Sequence, residues 1–384
     1  MSLKVILLFG VPMFVGGCSI LWIYWDHFKK PPKKKIFISA DCWLCVFDLL
    51  EPSQLGLGIS MISHRFDYYV DEHFKTRKRT LAFIRIRSKI GENGTKKMKI
   101  VNSRWKQMPI PQVQLPRKVI GFERIDICYI DQNVIAFLHR FRHLFASFCP
   151  INLYISTASN DRILEFILRN IWPMLATNIH GIHLPVGFFH RFRQFVPSFP
   201  NDYPSLRVVN LYADDVFVEF SADDNATASD GQALAKWLTT RNPNNVPKVL
   251  KCWLHNYNGN WPSRIEAFKA AFASASSSVN FIVLILFHPS SSAASVVPFV
   301  LTNELTREQL ALKRITTDNS SQCFLLVRCP IARDESKWTK WEEEAIGWDI
   351  CFQWNAIYFR IDDENKIGGG LFDAIPGPSD QQQK

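Results

Sequence analysis

Two histidine pairs have spacings that could bind a metal ion or transfer a proton. His139 and His143 would share one face of a predicted helix, but arginines surround them, which indicates a solvated basic surface. His180 and His183 are three residues apart at the start of a predicted strand, where such a pair points to opposite faces. Neither pair therefore predicts a metal site.

The cysteines and the acidic pairs give no stronger chemical signal. Cys42 and Cys45 have the spacing of half a zinc site, but no second pair stands where it could complete four ligands. No nucleophile elbow and no phosphate-binding glycine loop occurs either. The sequence therefore predicts no enzyme, no catalytic residue, no metal and no cofactor. Three acidic pairs at predicted loops or strand ends are more simply surface than acid–base pairs: Asp214–Asp215, Asp223–Asp224 and Asp362–Asp363.

Composition and charge limit the classes of protein to which the chain can belong. The chain has 384 residues, 47% of them hydrophobic, and can bury a large core. The net charge of +10 is local, because the segment from Phe28 to Lys106 holds 18 Lys and Arg against 7 Asp and Glu. The rest of the chain is close to neutral, which argues against a general role in binding nucleic acid. The nine cysteines, odd in number and scattered through apolar runs, favour reduced thiols.

The N-terminal segment predicts a membrane anchor. Val5 to Trp25 is an apolar run long enough to cross a bilayer. Five lysines between residues 29 and 35 follow it, and since positive charge stays on the cytosolic side, we expect a membrane-anchored protein with a cytosolic body. The alternative is a cleaved signal peptide with its apolar core at Val5 to Val15, which would make the protein secreted.

The elements after this segment are organised around Ile38 to Val70. Apolar residues recur there at helical spacing on both sides of Pro52, which predicts two helices that each carry one apolar stripe. Asp41 can cap the first helix and Ser53 the second. A helical pair this small cannot bury its stripe alone, so either the rest of the chain or another protein must cover it.

This segment resembles an F-box, the helical module that docks a substrate receptor onto the adaptor subunit of cullin-RING ubiquitin ligases. Asp41, Ser63 and Arg65 fill polar places of the usual pattern, and the span from Leu55 to Ile62 is one residue longer than usual. The resemblance implies that the apolar residues bind the adaptor: Val46, Phe47, Leu50, Pro52, Leu55, Ile59, Ile62 and Phe66.

A basic segment and a proline-rich linker come next. Alternating apolar and basic residues from Ala82 to Ile90 and a return strand from Lys97 to Val101 predict a β-hairpin. Its basic face is more simply a solvated surface that discourages edge pairing, since no aromatic residues suited to base stacking accompany the charge. The alternative is a surface for anionic lipid, an acidic protein or nucleic acid.

Alternating strand and helix patterns follow, and their predicted strand starts at residues 124, 151 and 181 are about 27 to 30 residues apart. This period predicts an α/β fold with an irregular leucine-rich-repeat-like β-α array and a β-rich C-terminal part; a doubly wound sheet is the alternative. The predicted organisation is an anchor or signal segment (1–27), an F-box-like module (36–74), a basic hairpin and linker (80–108), the array (120–290), a C-terminal region (296–363) and a disordered tail (364–384).

A second resemblance covers nearly the whole chain after the N-terminal segment. The segments DCWLCVFDLLEPSQLGL, ILRNIWPMLATNIHGI, PFVLTNELTREQLALKRI and FLLVRCPIARDESKWTKWEEEAIGW look like those of a large nematode family of F-box-like proteins. The resemblance implies a substrate receptor that links an unknown target protein to the ligase adaptor and the cullin scaffold. Trp338, Trp341 and Trp348 lie near one face of a predicted helix, where they are either core residues or aromatic anchors for a bound partner.

Overall fold

The computed structural model describes residues 38–50, 55–60, 62–76, 79–81, 83–90, 96–102, 107–108, 119–145, 150–157, 160–212, 216–223, 225, 227–254, 261–287, 297–316, 322–368 and 371. Within these ranges, the α-helices are α1 Ala40–Phe47, α2 His64–Thr76, α3 Gln132–Phe145, α4 Asp161–Asn170, α5 Trp172–Leu175, α6 Phe188–Phe195, α7 Asp230–Thr239, α8 Trp261–Ala273 and α9 Glu335–Gly347.

The strands within the same ranges are β1 Arg79–Leu81, β2 Ile84–Ile90, β3 Lys96–Asn102, β4 Gln107–Met108, β5 Val119–Phe122, β6 Arg124–Ile127, β7 Ile151–Ser156, β8 Ile179–Leu184, β9 Val208–Leu211, β10 Lys248–Leu254, β11 Phe281–Phe287, β12 Phe299–Asn303, β13 Glu308–Thr316, β14 Gln322–Pro330 and β15 Ala356–Arg360.

Thirteen of these strands form one mixed sheet in the order β12-β13-β14-β11-β10-β9-β8-β7-β15-β6-β2-β3-β4, while β1 and β5 form a separate parallel pair. The strands from β11 to β2 in this order all run parallel. The β12 to β14 strands at one edge and the β3 and β4 strands at the other are antiparallel to their neighbours. The strands of the predicted basic hairpin thus extend the same sheet.

Helices cover the two faces of the sheet unequally. Successive parallel strands from β7 to β11 are neighbours, so right-handed connections place α4 to α8 on one face, which we call the back face. Phe268 of α8 packs there against Phe281, with ring centroids 6.4 Å apart. On the opposite, front face, α9 packs Trp338 and Ala345 into a buried cluster with residues of β9, β10, β11 and β14.

Local sequence explains where several helices begin. Asn160 caps α4 by accepting a hydrogen bond from the Ile163 backbone N–H at 3.1 Å. Ser229 and Gln232 form a reciprocal capping box at the start of α7, with distances of 3.1 and 2.8 Å. These caps satisfy backbone donors that the first turn of a helix leaves without partners.

The predicted leucine-rich-repeat-like array with a separate β-rich C-terminal part is wrong. β15 comes from the C-terminal part of the chain but lies between β6 and β7, and β14 pairs with β11. The C-terminal strands therefore belong to the same sheet as the predicted array. All seven residues of β11 are buried, since helices cover both faces there.

The prediction of a membrane-anchored protein is also withdrawn. Among the residues that the structure describes, no helix has the length and apolar character needed to span a bilayer. The apolar run from Val5 to Trp25 lies outside those residues, as does Pro52 of the predicted adaptor-binding set.

Candidate functional site

The segment that resembles an F-box folds as a small helical module made of α1, a π-helical turn at Leu55–Ile59 and α2. Three of its apolar residues, Phe47, Leu55 and Val70, are fully buried, with 0% of their surface exposed. The Phe47 ring meets the His73 ring edge to face at a centroid distance of 5.9 Å, which joins the end of α1 to α2. Phe47 and Leu55, which the F-box resemblance assigns to adaptor binding, are therefore buried in the folded chain.

Other apolar residues of the module are exposed to solvent. The exposed fractions are 43% for Val46, 76% for Leu49, 62% for Ile62 and 60% for Tyr68. Three further residues of the predicted adaptor-binding set are half-buried: Leu50, Ile59 and Phe66. The module thus holds a buried core and also presents large apolar side chains at its surface, which is a feature of surfaces that bind other proteins.

The second predicted helix is interrupted. The Ser60 N–H donates to the Leu55 carbonyl at 3.0 Å, a π-helical bond that encloses one residue more than an α-helical bond. This turn accommodates the extra residue between Leu55 and Ile62, and α2 begins only at His64. The first helix begins at Ala40, one residue before Asp41, which the sequence predicts as its cap. Ser39 takes this place, because its Oγ accepts a hydrogen bond from the Cys42 N–H at 3.4 Å.

The three tryptophans proposed as partner anchors lie on the front face. Trp338 and Trp348 are buried to 4% exposure in the cluster beneath α9, and Trp341 is half-buried against it. Trp348 also covers Gly181 of β8, where a Cβ atom would lie 2.8 Å from the indole ring. These rings attach α9 to the sheet.

A row of polar and aromatic residues crosses the front face beside α9. Each residue pairs in register with the next, so the row runs perpendicular to seven parallel strands. We call it the polar row: Arg85, Asp126, Tyr358, Tyr154, His183, Asn210 and Lys251.

At one end of the polar row, two arginines share one buried carboxylate. Asp126 is fully buried and accepts from Arg85 at 3.0 Å and from Arg124 at 2.5 Å. The Arg124 guanidinium also lies 3.9 Å from the centroid of the Tyr358 ring, a cation–π contact. Burial is the main cause that raises the pKa of Tyr358, with the neighbouring Cys351 adding to it. Tyr358 therefore carries a neutral phenol at this end of the row.

At the centre of the row, rings contact one another from strand to strand. Tyr154 lies 5.2 Å from Tyr358 and 5.1 Å from His183 between ring centroids. Burial lowers the pKa of His183 to about 4, so its imidazole is neutral at pH 7. The Asn210 Nδ2 lies 3.1 Å from His183 Nδ1, and since an amide nitrogen only donates, the imidazole proton belongs on Nε2.

At the far end, Lys251 holds the end of α9. Its Nζ donates to the carbonyl oxygens of Ile346 at 3.2 Å and Trp348 at 2.6 Å. Burial lowers the pKa of Lys251 to about 8. The ammonium group therefore acts as a structural donor that satisfies carbonyl groups at the helix C-terminus.

Side chains two residues further along the strands are more exposed than the polar row. Arg87 follows Arg85 on β2, and Arg360 follows Tyr358 on β15; both are exposed. Neither arginine forms an ion pair within the described residues. Near the other end, Tyr212 is 44% exposed, and its ring stacks on His183 at 6.2 Å and contacts Trp253 at 5.4 Å. We call Arg87, Arg360, Tyr212 and Trp253 the outer side chains.

Sequence reasoning missed this surface. The hairpin strand from Ala82 to Ile90 has a single aromatic residue, Phe83, and the rings of the polar row come from strands far away along the chain. A signal was nevertheless present, because each parallel strand carries one polar residue or tyrosine among apolar neighbours. The strand sequences are RIDI, AIYFR, INLYIS, IHGIHL, VVNL and KVLKCWL.

Among the described residues, no three His, Cys, Asp or Glu side chains gather in a group that could hold a metal ion. Cys42 and Cys45 are both exposed. Two surface features of the described residues are therefore candidates for binding: the exposed apolar residues of the helical module, and the polar row with its outer side chains. No protein-family model, no curated protein and no solved structure matches this chain.

Proposed function

We propose that the chain is an F-box-like substrate receptor that links a target protein to a cullin-RING ubiquitin ligase through the adaptor subunit. The observation that carries the proposal is the exposure of Val46, Leu49 and Ile62 on a module whose core, Phe47 and Leu55, is already buried. Burying an exposed Val or Ile side chain against a partner contributes about 1.5 to 3 kcal/mol, so several together can support a stable contact.

In this proposal the chain performs no bond chemistry. Its contribution is to hold the target near the ubiquitin-charged enzyme, which raises the effective concentration of the acceptor lysine. The helical module binds the adaptor, and the remaining surface of the chain is available for the target. The likeness of the Ile38 to Val70 segment to an F-box supports this division of roles.

The test is the affinity of the purified full chain for the purified adaptor subunit. A variant with Val46→Asp and Ile62→Asp should lose at least about tenfold in affinity, since each substitution places a carboxylate where apolar surface would be buried. Both side chains are exposed in the free chain, so the variant should keep its thermal stability. Circular dichroism checks that it does.

A matched control carries Val186→Asp and Val300→Asp, which change exposed apolar residues in other parts of the chain. The control should bind the adaptor like the unmodified chain. The proposal fails if the unmodified chain does not bind the adaptor, or if the Val46 and Ile62 variant binds as tightly as the control.

A further inference from the structure

We propose that the polar row and its outer side chains form the surface that recognises the target, and that the target segment is an acidic, extended peptide with one bulky apolar residue. This inference rests on the proposed receptor function and adds a substrate class to it. Its evidence is independent of the helical module, because it comes from the charges and rings on the front face of the sheet.

The charge of the surface favours an acidic ligand. Arg85 and Arg124 both bind the carboxylate of Asp126, which brings two guanidinium groups to this end of the polar row. Arg87 and Arg360 add two exposed guanidinium groups that have no carboxylate partner within the described residues. A guanidinium group can bind a carboxylate through two parallel hydrogen bonds, as Arg124 does with the two oxygens of Asp126.

The spacing of these arginines fits an extended peptide. Arg85, Asp126 and Tyr358 are register partners on adjacent strands, so Arg87 and Arg360, each two residues further along, stand on strands two spacings apart. Two spacings are about 10 Å, which a chain in the extended polyproline II conformation covers in about three residues, with both side chains on the same side. We therefore expect two acidic residues about three positions apart in the target.

The aromatic end of the surface fits an apolar residue. Tyr212 follows β9, three strand spacings from Arg360 on β15, or about 14 Å and about four extended residues. Its exposed ring, next to Trp253, offers an apolar contact that remains partly solvated. Arg360 lies 5.9 Å from the Tyr154 ring centroid, which connects the charged end of the surface to the ring series.

The same contacts favour a peptide over single-stranded nucleic acid. Binding of a strand without sequence preference requires aromatic faces on which bases can stack. Here the Tyr154 ring lies between Tyr358 and His183, and the Tyr212 ring is stacked on His183. The rings therefore pack against one another, which leaves less of their faces open for bases to stack on.

The experiment pans a random-peptide display library against the full chain. The enriched sequences should carry two acidic residues about three positions apart, with an aromatic or large aliphatic residue about four positions away. Synthetic versions of the enriched peptides are then measured by fluorescence anisotropy, beside versions with Gln in place of each acid. The Gln versions should bind at least about tenfold more weakly, and affinity should fall as salt rises.

Two variants locate the binding site. A chain with Arg87→Gln and Arg360→Gln should lose at least about tenfold in affinity for the acidic peptides. A matched chain with Arg241→Gln and Arg314→Gln, which removes two exposed arginines elsewhere, should stay within about twofold of the unmodified chain. Arg314 stands on β13, seven strand spacings or about 34 Å from β15 along the sheet.

Several results would overturn the inference. Enrichment without acidic residues, equal binding of the Gln peptides, or equal losses in both arginine variants would each do so. Tighter, arginine-dependent binding of a single-stranded oligouridylate would assign the surface to nucleic acid instead. Adaptor affinity, measured on the same preparations, separates the two proposals: peptide binding without adaptor binding rejects only the receptor function, and the reverse rejects only this surface.

Discussion

At the scale of single residues, His183 determines how the polar row responds to pH. The imidazole contacts Tyr154, Asn210 and Tyr212, and its burial disfavours the charged form of the ring. Its folded-state pKa of about 4 lies below the ordinary value of 6.5. Between these values the unfolded chain binds the proton more readily than the folded chain does.

Stability should therefore fall as pH is lowered through this window. The contribution of His183 is fully present above pH 6.5 and is lost as pH falls to about 4, a change of up to about 3 kcal/mol in the free energy of unfolding. In His183→Phe this part of the pH dependence should disappear. Urea unfolding between pH 7.5 and 4.5 measures it, with His139→Phe as the control for loss of an exposed histidine. An unchanged pH slope in His183→Phe would contradict the assignment.

At the scale of elements, apolar periodicity predicts where helices and strands lie along the chain far better than it predicts how they are arranged in space. Apolar patterns predict strands at Ile151–Ile155 and Val249–Leu254, and the structure has strands at Ile151–Ser156 and Lys248–Leu254. The pattern from Gly231 to Thr240 predicts a helix, and the structure has one at Asp230–Thr239, which begins there because Ser229 and Gln232 form a local cap. Periodicity also predicts one helix from Ser53 to Val70, and the π-helical turn interrupts it.

The position of β15 depends on Asn355, which no periodicity reveals. Asn355 has a positive φ of 53°, its N–H donates to the Phe122 carbonyl at 2.8 Å, and its Oδ1 accepts from the Phe122 N–H at 2.9 Å. Gly121 permits this contact, because a Cβ atom there would lie 2.6 Å from Asn355 Oδ1. One residue therefore attaches the start of β15 to the β5–β6 segment.

Two substitutions at this position separate its roles. Asn355→Gly keeps the left-handed conformation but loses the side-chain bond, and should cost about 1 kcal/mol of unfolding free energy. Asn355→Ala should cost about 2 to 3 kcal/mol, because it adds the strain of a positive φ on a residue with a Cβ. Chemical denaturation of both variants measures the order, and an alanine variant as stable as the glycine variant would refute the account.

At the scale of the whole molecule, the sequence shows that the chain alternates strands and helices but not where the last strand goes. A period of about 27 to 30 residues is compatible with a solenoid or with a sheet covered on both faces. In the structure, β15 lies between β6 and β7, and α9 packs on the front face. The chain therefore forms a sheet covered on both faces and not a solenoid. Both placements depend on contacts between residues far apart in the chain, such as Trp348 with Gly181.

The candidate site is likewise only partly predictable from the sequence. The stripe from Trp43 to Val70 predicts which residues are apolar, but exposure depends on how the module closes. Leu55 lies in its core, and Leu49, which the F-box resemblance does not include, is the most exposed of its apolar residues. The polar row needs seven strands to be in register before its residues meet, so no single segment predicts it.

The central claim is that the helical module is the part of the chain that binds a ligase adaptor. Hydrogen–deuterium exchange of the full chain, with and without the purified adaptor subunit, tests it most directly. We predict that added adaptor slows exchange within residues 40–76 and leaves the strands of the polar row unchanged. Unchanged exchange in the module at saturating adaptor, or protection confined to the sheet, would contradict the claim.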